Sequence, residues 1–176
     1  MRRVAAIAAT LTTLTLIACD APTAPDETYS AALQNVSAEA ADAAGLDEFA
    51  STISGFGGLW FDRRCNLHVV LTDAGDPAQA KEVLTPLFRR RLAAAPRCPE
   101  GAEIVFHRGQ FTYTELVRWL HELRPVSEMR GVTGVHLNVP ANRIVVAVVS
   151  RRVAAAVLDI LTRLGIPHDA VHFRIG

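Results

Sequence analysis

The feature that most constrains the fold is a fifteen-residue segment that recurs later in the chain. The two copies, Gly58–Thr72 and Gly134–Val148, align without a gap, and four of their positions are identical. The alignment places Asn66 over Asn142 in a turn, where asparagine tolerates a left-handed backbone. Both copies have the β-branched, apolar pattern of a hairpin. Four identities are weak support alone, but the shared order of elements around them favours an internal duplication.

Each hairpin is followed by a helix and then by a short strand with a similar ending. These endings read EIVFHRG and AVHFRIG, at Glu103–Gly109 and Ala170–Gly176. The first helix begins at Asp76-Pro77 and the second at Ser150, with capping residue types at both starts. The sequence therefore predicts an α+β fold made of two ββαβ units with mixed sheets, joined by a helix. A β-α-β step within one sheet is almost always right-handed.

The predicted domain occupies residues 55–176, a normal size for a single domain. Its first unit spans 55–110, the connecting helix lies within 111–130, and the second unit spans 131–176. We expect Thr112 or Thr114 to cap the connecting helix and Pro125 to end it. Pro86 falls within the first helix and is expected to kink or split it. Gly165 is expected to cap the second helix.

The N-terminus has the pattern of a bacterial lipoprotein signal. A positive start, Met1-Arg2-Arg3, precedes the uncharged apolar run Val4–Ile17, and Leu16-Ile17-Ala18-Cys19 matches a lipobox. This pattern is typical of a secretory signal, and the run is short for a membrane span of about 20 residues. We predict a signal peptide at 1–18 and a lipid, such as palmitate, on Cys19. The alternative is an ordinary signal peptide cut nearby, with Cys19 discarded.

Residues 19–54 are predicted to form an acidic, flexible tether. They hold seven acidic residues and no Lys or Arg, and Pro22 and Pro25 favour an extended chain. Whether the alanine-rich stretch 37–52 is helical stays open, and it is expected to bury little. The whole chain has 18 basic and 18 acidic side chains, and loss of Arg2 and Arg3 leaves a net charge of −2. This balance gives no support for a nucleic-acid partner.

Two cysteines remain once Cys19 is assigned to the lipid. Outside the cytoplasm a remaining pair, here Cys65 and Cys98, points to a disulfide. The predicted topology places both at the same end of the first unit. A reactive or metal-binding thiol is the alternative.

The sequence contains no recognisable catalytic, metal or cofactor motif. No GxSxG is present, and the glycine-rich Gly55–Gly58 precedes a strand rather than following one. No set of histidines has zinc-ligand spacing, and strand or surface roles are expected for all six: His68, His107, His121, His136, His168 and His172. The basic run Arg89–Arg91 suits the C-terminal end of a helix, with docking of an acidic partner as the alternative. We therefore expect no enzyme activity and no cofactor.

Three strings together resemble the N-terminal prosegment-like region of secreted bacterial trypsin-like serine proteases. They are GGLWFDRRCNLHVVLTD (Gly57–Asp73), YTELVRW (Tyr113–Trp119) and GVHLNVPANRIVVAVV (Gly134–Val149). In that family the prosegment assists protease folding and inhibits the enzyme. The resemblance implies a binding or inhibitor-like module. No protease domain follows Gly176 in this sequence, so a role in cis is not expected.

The leading hypothesis is a non-enzymatic, extracytoplasmic binding module of the cell envelope, held at the membrane through lipid on Cys19. Its partner is expected to be an envelope or secreted protein, contacted at a sheet edge or at the Cys65 end. One alternative is a protease inhibitor or folding helper acting in trans. The other is an envelope hydrolase, which requires a deep pocket that gathers His107, His172 and acidic groups.

Overall fold

The computed structural model describes residues 43–95, 98 and 101–176, and it confirms the predicted α+β class. The first unit contains α1 (Ala43–Thr52), β1 (Phe56–Phe61), β2 (Leu67–Leu71), α2 (Pro77–Ala94) and β3 (Ile104–Arg108). The connecting segment contains α3 (Tyr113–Glu122) and α4 (Arg124–Ser127). The second unit contains β4 (Val132–Asn138), β5 (Arg143–Val148), α5 (Arg151–Leu164), a 3-10 turn (His168–Ala170) and β6 (Val171–Ile175).

Each unit has one three-stranded mixed sheet, and the two sheets have the same topology. β1 pairs antiparallel with β2, which pairs in parallel with β3; β4, β5 and β6 repeat this arrangement. The repeat extends to a bulge in the first strand of each sheet, at Phe56/Gly58 and at Val132/Gly134. The predicted pair of ββαβ units is therefore present.

The gapless alignment of the two hairpins is wrong by one residue in the second strand. Phe61 pairs with Leu67 in the first hairpin, whereas Leu137 pairs with Ile144 in the second. The second turn is thus one residue longer, and Asn142 (φ 52°) corresponds to Cys65 (φ 63°) rather than to Asn66. A turn absorbs an extra residue readily, whereas a shift within the strand would turn every side chain to the opposite face.

The helix ends follow the local sequence. The Asp76 side chain accepts a hydrogen bond from the Ala78 amide, and the Ser150 side chain accepts one from the Val153 amide. Thr112, rather than Thr114, caps α3 and forms a reciprocal capping box with Glu115. Gly165 ends α5 in a left-handed conformation with φ 66°, as predicted for a C-terminal glycine.

The predicted split at Pro86 does not occur, because α2 continues through it. Proline lacks the amide that would bond to the carbonyl four residues earlier. Pro86 and Glu82 are both exposed, so this carbonyl is on the solvent side of the helix. The hydroxyl of Thr85 donates to the Lys81 carbonyl over 2.6 Å, which adds a polar contact beside the interruption.

Helix α1 lies inside the predicted tether and belongs to the folded part. Leu46 is 8% exposed and Ile53 is 1% exposed, and both pack in the core of the first unit. The ring of Phe49 lies 6.3 Å from that of Phe56. The stretch that the sequence leaves undecided is therefore helical from Ala43 and buries more than expected. Residues 1–42, including most of the predicted tether, lie outside the described part of the chain.

Each sheet buries one face against helices, and α3 contributes to both cores. Leu67 and Leu84 are fully buried in the first core. The second core is built on α5, β5 and the connecting segment. Tyr113 packs in the first core, whereas Leu116 and Trp119 pack in the second, so the connecting helix joins the two units into one packed body. Among the described residues, no helix has the length and apolar character needed to cross a membrane.

Candidate functional site

Cys65 and Cys98 form the disulfide that the sequence predicts. Their sulfur atoms are 2.05 Å apart and their Cα atoms 5.5 Å apart. Cys65 lies in the β1–β2 turn and Cys98 lies beyond the C-terminal end of α2, so both occupy one end of the first unit, as expected. Cys19, the predicted lipidation site, lies outside the described residues.

A cluster of aromatic and ionisable side chains covers the outer face of the first sheet. Trp60, His68 and His107 come from β1, β2 and β3, and their ring centroids lie between 4.9 and 5.2 Å apart. Alternate residues of the same strands, such as Leu59 and Val69, point to the core. We call Trp60, Asp62, His68 and His107 the histidine cluster.

Hydrogen bonds link three members of the histidine cluster in a row. Nδ1 of His68 lies 2.8 Å from Nε2 of His107, and Nε2 of His68 lies 3.1 Å from Oδ2 of Asp62. With Asp62 ionised, we assign the proton of neutral His68 to Nε2, so that it donates to the carboxylate. Nδ1 of His68 then accepts from Nε2–H of His107. A continuous hydrogen-bonded path therefore runs from partly buried Asp62 to the exposed ring of His107.

The carboxylate of Asp62 is held in its ionised form. Burial alone would raise its pKa, but hydrogen bonds from the His68 and Asn66 side chains, together with the amides of Asn66 and Arg64, lower the pKa overall. Its Oδ1 accepts from both amides at 2.8 Å. Asp62 therefore gives the row a fixed negative end.

Burial lowers the pKa of His107, and a positive charge on neighbouring His68, when that ring is protonated, lowers the pKa further. Near neutral pH the His107 ring is therefore mainly uncharged. Nε2 of His107 donates its hydrogen bond to His68, so Nδ1 is the ring nitrogen that can still accept a proton. His107 is thus positioned to accept one proton from a ligand or from solvent.

The second unit shows that the fold does not require this cluster. By strand register, His136 occupies the place of Trp60, Val145 that of His68, and Arg174 that of His107. The same ββαβ arrangement therefore forms with a valine in place of the central histidine. This comparison favours a functional role for the histidine cluster in the first unit.

Beside the histidine cluster, a shallow groove of about 370 Å³ lies between the β3–α3 loop and the β4–β5 turn. Its lining residues are Val70, His107, Arg108, Gly109, Gln110, Pro140, Ala141, Asn142 and Arg143. The ionisable members of this set are one histidine and two arginines. We call this feature the groove.

Among the residues that line the groove, Arg143 is a charged side chain whose partners are all neutral groups. Its guanidinium donates to the Asn142 carbonyl at 2.8 Å and to Oε1 of Gln110 at 2.7 Å, and it lies over the Phe111 ring at 4.9 Å. Arg108 differs, because it forms an ion pair with Asp73 at 2.7 Å. The guanidinium of Arg143 is therefore held in one orientation by neutral groups, and none of these partners balances its positive charge.

The wall of the groove is made rigid by Asn142, which is 4% exposed. Its Oδ1 accepts from the amides of Gln110 and Phe111, and its Nδ2 donates to the Phe111 carbonyl, each at 2.8 Å. A Cβ at Gly57 or Gly109 would lie 3.0 Å from this side chain and 2.8 Å or less from Val70. The close approach of the two units at the groove therefore depends on these two glycines.

The remaining histidines are dispersed, as expected for strand and surface positions. They are His121 on α3, His136 on β4, His168 in the 3-10 turn and His172 on β6. Within residues 43–95, 98 and 101–176, no group of three or more His, Cys, Asp or Glu residues is placed to hold a metal ion. The run Arg89–Arg91 is exposed near the end of α2, with the Arg91 guanidinium 5.6 Å from the Phe61 ring centre.

No protein-family model and no curated protein matches this chain. The resemblance to protease prosegments therefore stays a prediction, and the function has to be argued from the site itself.

Proposed function

We propose that the chain is a lipid-anchored extracytoplasmic module that binds an envelope component or a secreted protein, without catalysing a reaction. The N-terminal pattern that ends at Cys19 supports the anchor. The Cys65–Cys98 disulfide supports an oxidising compartment, because such bonds persist outside the cytoplasm. The charge balance supports a partner other than nucleic acid.

The observation that carries the binding role is the fixed, neutrally partnered Arg143 in the groove. Binding sites usually combine a concave surface with a few polar groups held in place. The groove has both features, and it lies beside a histidine cluster that the fold does not require. It lies at the carboxyl end of β3, away from Cys65, so this proposal replaces the disulfide end as the contact surface.

Site-specific photo-cross-linking in the native cell tests the binding role. A photoreactive residue is placed at Ala141, an exposed residue on the groove. The matched control places it at Ala156, an exposed residue on α5. We expect a discrete cross-linked product from position 141, lost on Arg143→Gln, and none from position 156. Equal products from both positions, or an Ala141 product that survives Arg143→Gln, would contradict the proposal.

A hydrolase is the second candidate function, because the Asp62–His68–His107 row orients a histidine as a general base would require. The groove contains His107 but neither His172 nor a carboxylate among its lining residues, and it is shallow, so it differs from the deep pocket that a hydrolase was expected to need. Turnover of peptide, ester or glycan substrates that is lost on His107→Gln would establish this function in place of simple binding. Action in trans on a secreted protease is tested by inhibition and refolding assays with co-expressed secreted serine proteases.

A further inference from the structure

We propose that the groove binds an oxyanion, a carboxylate or a phosphate group of its ligand, and that binding is accompanied by uptake of one proton on the His68–His107 pair. This inference rests on the proposed binding function of the groove and names both its ligand chemistry and its regulation by pH.

The ligand chemistry follows from the charges that line the groove. Arg143 and His107 contribute positive or proton-accepting groups, and none of the nine lining residues is acidic. The carboxylate of Asp169 lies outside this lining set and accepts from Nε2 of Gln110. Arg108 adds a third basic side chain, whose charge is balanced by Asp73. Two of the guanidinium nitrogens of Arg143 face neutral acceptors, and a planar guanidinium suits carboxylate and phosphate oxygens.

The proton count follows from the geometry of the row. In the neutral pair, His107 donates through Nε2 to Nδ1 of His68, and His68 donates through Nε2 to Asp62. A proton added at Nδ1 of His107 leaves both hydrogen bonds intact. A second added proton would place hydrogen on both nitrogens of the 2.8 Å His68–His107 contact, where neither could accept. The pair therefore takes up one proton readily and resists a second.

The groups that face His107 from neighbouring elements act in opposite directions. His68 from β2 and the arginines of the groove, Arg108 and Arg143, disfavour its positive form, whereas Asp62 in the β1–β2 turn favours a proton on the row. Trp60 from β1 is uncharged and stacks on the ring. An oxyanion bound between Arg143 and His107 would add the missing negative charge next to His107.

Proton uptake and anion binding then strengthen each other by the same factor, because linkage is reciprocal. The affinity for an oxyanion should rise as the pH falls towards the range in which His107 becomes protonated. Uptake of a single proton limits the increase to about tenfold for each pH unit. Loss of the proton at higher pH would weaken binding to the level that Arg143 supports without it.

Nuclear magnetic resonance of the full chain, purified in detergent, tests the inference. The probes are acetate and dimethyl phosphate, each of which keeps a single negative charge between about pH 6 and 8, with chloride at equal ionic strength as the reference. The signals followed are Nε–H of Arg143, the Gln110 amide and the ring nitrogens of His107. The two probes also separate a carboxylate ligand from a phosphate ligand.

We expect at least one probe to shift the Arg143 and Gln110 signals saturably and to raise the pKa of His107. His107→Gln should keep the binding but remove its pH dependence, whereas Arg143→Gln should abolish binding. His172→Gln, at an exposed histidine of the second sheet, is the matched control and should change neither. The dispersion of the amide spectrum reports whether each variant is folded.

Three results would overturn the inference. They are no saturable shift with either probe, an unchanged His107 pKa at saturation, or a pH dependence that persists in His107→Gln. The two proposals can fail separately. If neither probe binds but the Ala141 cross-link still depends on Arg143, only the oxyanion chemistry is wrong. If that cross-link is also absent, the proposed function is wrong as well.

Discussion

Replacing Asn142 with alanine should destabilise the protein strongly, because this side chain joins the two units at the groove. The change removes three hydrogen bonds of 2.8 Å, two to the amides of Gln110 and Phe111 and one to the Phe111 carbonyl. Unpaired groups of this kind cost about 1–3 kcal/mol each when buried. Alanine must also adopt φ 52°, at a further cost of about 1 kcal/mol. Because the bond to the Gln110 amide is only part-buried, we take the lower end of this range and expect the free energy of unfolding to fall by at least about 4 kcal/mol.

Urea unfolding with linear extrapolation measures this loss. Asn142→Gly separates the two contributions, because glycine accepts the left-handed backbone; it should recover about 1 kcal/mol relative to alanine. Asn138→Ala is the matched control, since its side chain makes one hydrogen bond, at 3.0 Å to the Ala141 amide. If Asn142→Ala costs no more than Asn138→Ala, Asn142 does not stabilise the junction as argued.

Four further predictions concern other parts of the chain. Replacing Cys65 and Cys98 together with alanine should lower the free energy of unfolding by about 4 kcal/mol, the entropy of a 33-residue closure; an unchanged urea midpoint would contradict this. Cys19→Ser should abolish metabolic palmitate labelling and move the protein from the membrane to the soluble fraction, and persistent labelling would refute the assignment. Pro86→Ala should stabilise α2 by about 1–3 kcal/mol because it restores a helical hydrogen bond, and a lower thermal midpoint would count against this explanation. Since the pKa of His107 is lowered in the folded protein, the unfolded chain binds more protons just below about pH 6.5, so stability should fall as the pH falls through that window; urea midpoints at successive pH values should show a smaller fall for His107→Gln.

The parts of the fold that the sequence predicts depend on local signals. Turn residues, the caps Asp76 and Ser150 and the glycine at 165 act within a few positions of each other, so the order of elements could be derived without tertiary information. The disulfide followed from that order, because the predicted helix returns the chain to the end where Cys65 lies.

The parts that the sequence misses depend on long-range packing. Helix α1 has few large apolar residues, and only the packing of this segment against β1 shows that Leu46 in the helix and Ile53 just after it are buried. The extra residue in the second turn keeps the apolar side chains of β5 on the core face of the sheet. A gapless alignment does not consider which face of the sheet each side chain occupies.

The candidate site was missed for a related reason. His68 and His107 are 39 positions apart, and their contact depends on the parallel register of β2 and β3. In the sequence, the alternation of apolar and polar residues along β2 and β3 places His68 and His107 on the outer face of the sheet. This alternation is the only signal in the sequence that points to the site. The sequence pattern places Asn142 in a hairpin turn and Arg143 at the start of a strand, and their contacts with the β3–α3 loop become visible only in three dimensions.

The measurement that tests the central claim most directly is the yield of cross-linked product from Ala141 in cells, compared between the native chain and Arg143→Gln. The proposed binding role predicts a discrete product that depends on Arg143 and is absent when the photoreactive residue is at Ala156. A native chain that gives no product at Ala141, or the same products at both positions, would contradict a binding role for the groove.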